Sequence, residues 1–225
     1  MRGTFVTGTG TDVGKTVVAA VLARAQAAQG RKVAVFKPAV SGLNDYGPAD
    51  GEGWDKVAEA PDHELLRLAS GSTQSDDEIA PYRYGPAVSP HLAAEMAGEP
   101  IDPERLRGAA RAAAEGADLL VCEGVGGFLV PLTADYLVRD LARELALPMV
   151  IVASPGLGTI NHTLLTLEAV RAAGLEVGAV VLTPWPEEPS AMEASNRDTI
   201  ATLDSAPVRT LPRLDLTDPE SWPAL

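Results

Sequence analysis

Apolar runs and helix-like stretches alternate from one end of this chain to the other. Residues 3–8 (GTFVTG) predict a short strand, and the Ala- and Val-rich residues 16–29 predict a helix closed by Gly30. A second strand is predicted over residues 32–38 (KVAVFKP), a β-branched run stopped by Pro38. Beyond a Gly-, Pro- and Asp-rich stretch, residues 61–70 (PDHELLRLAS) predict a helix with Asp62 near its start and Gly71 just past its end. Helices are then predicted over residues 103–116, 135–146, 159–174 and 190–205, and strands over residues 117–124, 147–154 and 175–183. The segment PVRTLP follows the last helix without an assigned element. Strands apolar on both faces and separated by helices predict a mainly parallel sheet covered on both sides, a three-layer α/β fold. Nothing reads as a repeat or a linker, so one domain over residues 1–225 is expected, with residues 42–53 as a long functional loop inside it.

Composition narrows the partners. Hydrophobic residues make up 46% of the chain, in the globular range, and the longest apolar runs are too short to span a membrane. No basic flank and apolar leader precede the first strand, so a cytoplasmic location is expected. The lone Cys122 excludes an internal disulfide and reads as a small buried hydrophobe. A net charge of −13 repels nucleic acid and anionic lipid, so neither is an expected partner. An anionic ligand would need a locally positive site, for which Lys15, Lys37 and backbone N–H groups are the natural suppliers.

The stretch TGTGTDVGKT, residues 7–16, supplies such a site. A Gly-rich turn between a strand and a helix points successive N–H groups at an anion, and the helix start adds partial positive charge. In that geometry Lys15 neutralises the outer phosphates of a nucleotide and the Thr16 hydroxyl ligates Mg²⁺. The loop, Gly8, Thr9, Gly10, Thr11, Asp12, Val13 and Gly14, is one residue longer than the usual phosphate loop; Val17 follows in the helix. Ligands of open parallel sheets bind beyond the carboxyl ends of the strands. Glu123, read as ending a buried strand and followed by glycines, is placed to hold Mg²⁺. Lys37 ends the second strand where a dinucleotide site would need an acid. No Ser-His-Asp, Cys-His or HExxH arrangement is visible, and His91 and His162 read as structurally hydrogen-bonded rather than catalytic.

In this order, TGTGTDVGKT, FKPAVSG, SPHLAAE, CEGVGGFLVPL and GLGTINHTLLT resemble the signature of the dethiobiotin synthetases, members of the P-loop NTPase superfamily; the likeness runs from about residue 3 to about residue 185. The longer loop is typical of that family. The resemblance implies an ATP- and Mg²⁺-dependent cyclo-ligase. It would carboxylate 7,8-diaminononanoate with CO₂ and close the ureido ring, giving dethiobiotin, ADP and phosphate. It implies that Lys37 steadies the carbamate and the transferring phosphoryl group beside Lys15, that Thr11 donates to the intermediate, and that Ser41 and Gly126 contact substrate. A second Mg²⁺ carboxylate is implied in the loop after Lys37, where Asp45, Asp50, Asp55 and Asp62 stand; Asp62 is preferred, Asp55 is the alternative, and a plain helix cap competes for Asp62. Gly158, Thr159, Ile160 and Asn161 would reach the substrate's carboxylate across a homodimer interface. For the base, many relatives carry Asn-Asp where Thr183 and Pro184 stand here. One hydroxyl cannot read a base edge bidentately, so recognition would fall to backbone around Thr183 and around Leu211, Pro212 and Arg213, with relaxed choice of nucleoside triphosphate. Asp12 replaces a common Glu.

Two rivals share the fold. A chromosome-partitioning or division-site switch ATPase would carry a further Lys near the loop start, where Thr9 and Gly10 stand. A glutamine-dependent synthetase would need a glutaminase domain for which the chain has no room.

Overall fold

The structure, a computed structural model, describes residues 1–45, 60–223 and 225. Six apolar runs become strands: β1 (Gly3–Gly8), β2 (Val33–Phe36), β3 (Leu119–Gly127), β4 (Met149–Ala153), β5 (Val177–Trp185) and β6 (Val208–Pro212). They form one sheet in the order β2-β3-β1-β4-β5-β6, and every pairing is parallel. Parallel neighbours need crossovers, and the helices supply them. These are α1 (Lys15–Ala27), α2 (Asp62–Ser70), α3 (Asp76–Ile79), α4 (Pro90–Ala97), α5 (Pro103–Ala114), α6 (Val138–Leu145), α7 (Thr159–Ala172) and α8 (Ala191–Leu203).

The two-residue period of a strand sorts its side chains onto two faces. Phe5, Phe36, Leu120, Cys122, Met149 and Ile151 point to one, where they pack with Leu106 of α5, Leu141 of α6 and Leu167 of α7. Their sequence neighbours Val6, Val35, Val121, Val150 and Val152 point to the other, against Val18 and Val21 of α1 and Leu66 of α2. The three-layer α/β architecture expected from the alternation is the one observed. Cys122 is fully buried, as expected for a small hydrophobe.

Three further elements had no assigned bounds in the pattern. The single turn α3 carries a reciprocal cap, Ser75 and Glu78 each bonding the other's backbone N–H, a signal present in the sequence SDDE. Helix α4 opens with Pro90 at a first-turn position and closes at Gly98. Strand β6 is a half-exposed edge whose apolar period is too short to register. Strand β3 also runs past Glu123 to Gly127, because a register shift lets Gly127 pair with Gly8 of β1. Among the described residues, no helix is long and apolar enough to cross a membrane.

Order at the centre of the sheet depends on Gly3. A Cβ there would sit 1.9 Å from the Leu120 carbonyl oxygen, and its φ of +150° disfavours a side chain in any case. We expect Gly3→Ala to destabilise the fold by about 2–3 kcal/mol and to lower Tm by roughly 5–10 °C in calorimetry. Gly108→Ala, on the exposed face of α5 with open space around it, is expected to stabilise by about 0.5–1 kcal/mol.

Candidate active site

β1 ends at Gly8 and the chain turns through residues 9–14 before α1 begins, pinned at its start by a bond from Thr9 N–H to the Val152 carbonyl of β4 (2.9 Å). Asp12 takes a left-handed backbone, φ 57°, in the middle of the turn. Gly14 caps α1 with φ 90°, and a Cβ there would meet Thr183 Cγ2 at 2.8 Å. The close approach that needs glycine thus comes from Thr183 of β5. Lys15 lies back along the loop, its Nζ 2.9 Å from the Gly10 carbonyl. Burial holds its ammonium below the ordinary lysine range, against the opposing pull of Glu123.

Beside the loop stands a buried ion cluster drawn from four elements. Lys37, just past β2, places Nζ 2.6 Å from Glu123 Oε1 on β3 and 2.6 Å from Asp62 Oδ2 at the start of α2. Thr16 Oγ1 donates to the same Glu123 oxygen at 2.9 Å. Lys37 is 3% exposed and Glu123 fully buried. Burial works against the Lys37 ammonium, yet Asp62 and Glu123 outweigh it and hold the group charged, above the ordinary range. Asp62 is burdened by burial but held below the usual carboxylate range by Lys37; burial pushes Glu123 up, with Lys37 opposing. Asp62 makes no capping bond, so its carboxylate serves the cluster and not the helix end. The second oxygen of Glu123 is buried without a partner among the described residues. Such an orphan fits a hard cation that completes its shell with a hydroxyl, waters and phosphate oxygens.

Loop and cluster form one wall of a cleft of about 810 Å³. Thr11, Asp12, Gly14, Lys15, Thr16, Val17, Lys37, Ser41, Asp62, Glu123 and Gly126 all line it. So does Asp45, whereas Asp50 and Asp55 lie outside the described residues. The cleft also has a largely apolar stretch of wall that the sequence pattern did not single out: Ala39, Val88, Ser89, Pro90, Val125 and Val130. The SPHLAAE motif carried the signal, since Ser-Pro opens α4 and points its first turn at the cleft.

Other expected residues lie elsewhere. Gly158, Thr159, Ile160 and Asn161 form the start of α7 and do not line the cleft; the Thr159 side chain is buried, its hydroxyl facing Thr163 Oγ1 at 3.4 Å. Thr183 is 3% exposed behind Gly14, and Pro184 follows it on β5. Leu211 and Pro212 lie on neighbouring β6, with Trp185 paired to Pro212 and Arg213 exposed just beyond. The structural hydrogen bonds expected of His91 and His162 are not made: each side chain stands exposed in the first turn of its helix, α4 and α7, without a polar partner among the described residues.

Comparison with known proteins is consistent with this geometry. Residues 2–221 match the family described as AAA domain. The chain is 42% identical over 203 residues to the ATP-dependent dethiobiotin synthetase BioD of Anaeromyxobacter dehalogenans (strain 2CP-1), covering 90% of this chain and 86% of that one. It is 44% identical over 207 residues to the ATP-dependent dethiobiotin synthetase BioD of Mycobacterium sp. (strain JLS), covering 91% and 84%. Among solved structures, the septum site-determining protein MinD of Pyrococcus horikoshii, complexed with Mg-ADP, superposes with TM-score 0.57 at 17% identity, covering 99% of this chain and 87% of that one. That likeness is one of fold alone. With a stretched phosphate loop, a buried Lys37–Asp62–Glu123 cluster beside it and relatives this similar over nearly the whole chain, the protein belongs to the dethiobiotin synthetase family of P-loop NTPases.

Proposed function

We propose that the chain, acting as one domain, is an ATP- and Mg²⁺-dependent cyclo-ligase that converts 7,8-diaminononanoate and CO₂ to dethiobiotin. The observation that carries the reading is the shared cleft. The phosphate loop and the buried cation Lys37 line one space, and apolar residues suited to an alkyl chain share its lining. One amine of the substrate attacks CO₂ and loses a proton, leaving a carbamate. A carbamate oxygen attacks the γ-phosphorus and the bond to the bridging oxygen of ADP breaks. The second amine then attacks the carbamoyl carbon, and phosphate leaves as the ring closes.

Each residue has a task in that sequence. The N–H groups of residues 8–16 cradle the phosphates, and Lys15 exchanges the Gly10 carbonyl for their oxygens. Thr16, Asp62 and Glu123 would hold Mg²⁺, which supplies charge neutralisation at the triphosphate. Lys37 places its ammonium against the carbamate and the moving phosphoryl group, while Thr11 and Ser41 donate to substrate oxygens and Gly126 leaves room for them. Such transfers are accelerated chiefly by positioning and electrostatic stabilisation. The start of α7 serves the cleft of a second copy, its free N–H groups meeting the substrate carboxylate. Leu157, 91% exposed beside it, is the apolar anchor for that homodimer. Backbone at Thr183, Pro184, Leu211, Pro212 and Arg213 surrounds the base.

Lys15→Ala is expected to lower kcat by about 10²–10³-fold with an unchanged circular dichroism spectrum; comparable turnover would remove Lys15 from the mechanism. For Lys37→Ala, kcat is expected to fall at least about tenfold more than diamine affinity, read from steady-state kinetics beside equilibrium titration. Because one buried hydroxyl replaces a bidentate side chain at the base, kcat/KM for ATP, CTP and GTP is expected to agree within about tenfold. A strong adenine preference contradicts that reading of Thr183. Nucleotide hydrolysis is expected to depend on diaminononanoate plus bicarbonate; stimulation by a protein, DNA or membrane instead points to a switch ATPase.

A further inference from the structure

Two carboxylates brought together inside a protein require a cation, and here the chain provides its own. Lys37 Nζ sits 2.6 Å from both Asp62 Oδ2 and Glu123 Oε1, at 3% exposure, while Glu123 Oε2 has no partner among the described residues. Lys15 makes no ion pair with either acid, its Nζ being bonded to the Gly10 carbonyl, yet it lies near enough for its charge to act on both. Asp62 and Glu123 are thus balanced by Lys37 and Lys15 before any metal arrives. A divalent ion entering alone would leave uncompensated positive charge beside a buried ammonium that already holds the carboxylate oxygens. An ion entering on a triphosphate brings more negative charge than it carries, so the same position becomes favourable.

We propose that Lys37 occupies the divalent-cation position between Asp62 and Glu123 in the nucleotide-free protein, and so keeps metal from binding ahead of nucleotide. The inference rests on the reading of Thr16, Asp62 and Glu123 as metal ligands. It gives Lys37 a second role. When the metal takes over the two carboxylates, the ammonium loses its partners and turns to the nearest anionic oxygen in the cleft. The charge that steadies the transferring group is therefore released only once nucleotide and metal are both in place, which limits futile hydrolysis. Lys37 is by this argument a determinant of metal affinity and of binding order as well as a group that faces the substrate.

The test is a titration of nucleotide-free protein with Mn²⁺ alone, read by the electron paramagnetic resonance of the free ion. Lys37→Met is expected to bind Mn²⁺ at least about tenfold more tightly than the wild type, because an adjacent buried positive charge has been removed. Lys37→Arg, which keeps the charge, is expected to stay within about threefold of wild type. Should Lys37→Met fail to fold, Lys37→Gln retains hydrogen-bonding capacity without charge and takes its place, with the same expectation. Adding Glu123→Gln to the uncharged variant is expected to abolish the tight binding. Unchanged or weaker binding by the uncharged variant, with Glu123→Gln still lowering it, overturns the role of Lys37 and leaves the metal site standing. Binding indifferent to Glu123→Gln overturns both.

Discussion

The contact on which the rest of this molecule turns is the one between a buried lysine and two acids. Lys37, Asp62 and Glu123 come from just past β2, from α2 and from β3, and neither of the two buried charges, Lys37 and Glu123, is tolerable alone at its depth. Leaving one buried charge unpaired costs about 3–5 kcal/mol, so the cluster holds together or the local structure fails with it. That necessity ties α2 to the sheet at the point where the phosphate loop opens. Thr16, hydrogen-bonded to Glu123, brings the first turn of α1 into the same arrangement.

Everything below the cluster exists to hold it still. Valines on one face of the strands and larger side chains on the other make the body of the sheet apolar, and its buried polar side chains, Thr7, Glu123 and Thr183, stand toward the carboxyl ends of their strands. β1 is central, with β3 on one side and β4 on the other, and the loop rises from the point where the chain's path across the sheet changes direction. Gly14 lets that loop approach Thr183 on β5, which couples the position of the loop to the end of that strand. The architecture alone does not choose a reaction. MinD shares it at 17% identity, and what separates the two readings is the furnishing of the cleft together with relatives at 42–44% identity.

Much of this was legible in the sequence, for physical reasons that differ from part to part. Buried parallel strands announce themselves as unbroken apolar runs, so β1 to β5 stood out; β6, an exposed edge with Arg209 and Thr210 inside it, did not. Lys15 and Thr16 are fixed by local spacing within one turn and could be placed from a few residues. Lys37, Asp62 and Glu123 are far apart in the chain, and their mutual contact depends on strand order, which no local pattern encodes. The apolar wall at Val88, Ser89 and Pro90 escaped for a related reason: a lining residue is defined by what lies across from it. Asp62 was preferred among four acids because the spacing of its helix to Gly71 suits the resembled family, and the structure shows that carboxylate bonded to Lys37. The inward turn of the Thr159 side chain could not be read from its motif, because helix phase at a first turn is set by tertiary packing.

The most direct measurement of this account is a crystal structure with a non-hydrolysable triphosphate and Mn²⁺, its metal located by anomalous scattering. A single anomalous peak is expected among Thr16, Asp62 and Glu123, with the triphosphate wrapped by residues 8–16 and Lys37 turned from the carboxylates toward the terminal phosphoryl group. A peak elsewhere, or a triphosphate bound outside that loop, contradicts it.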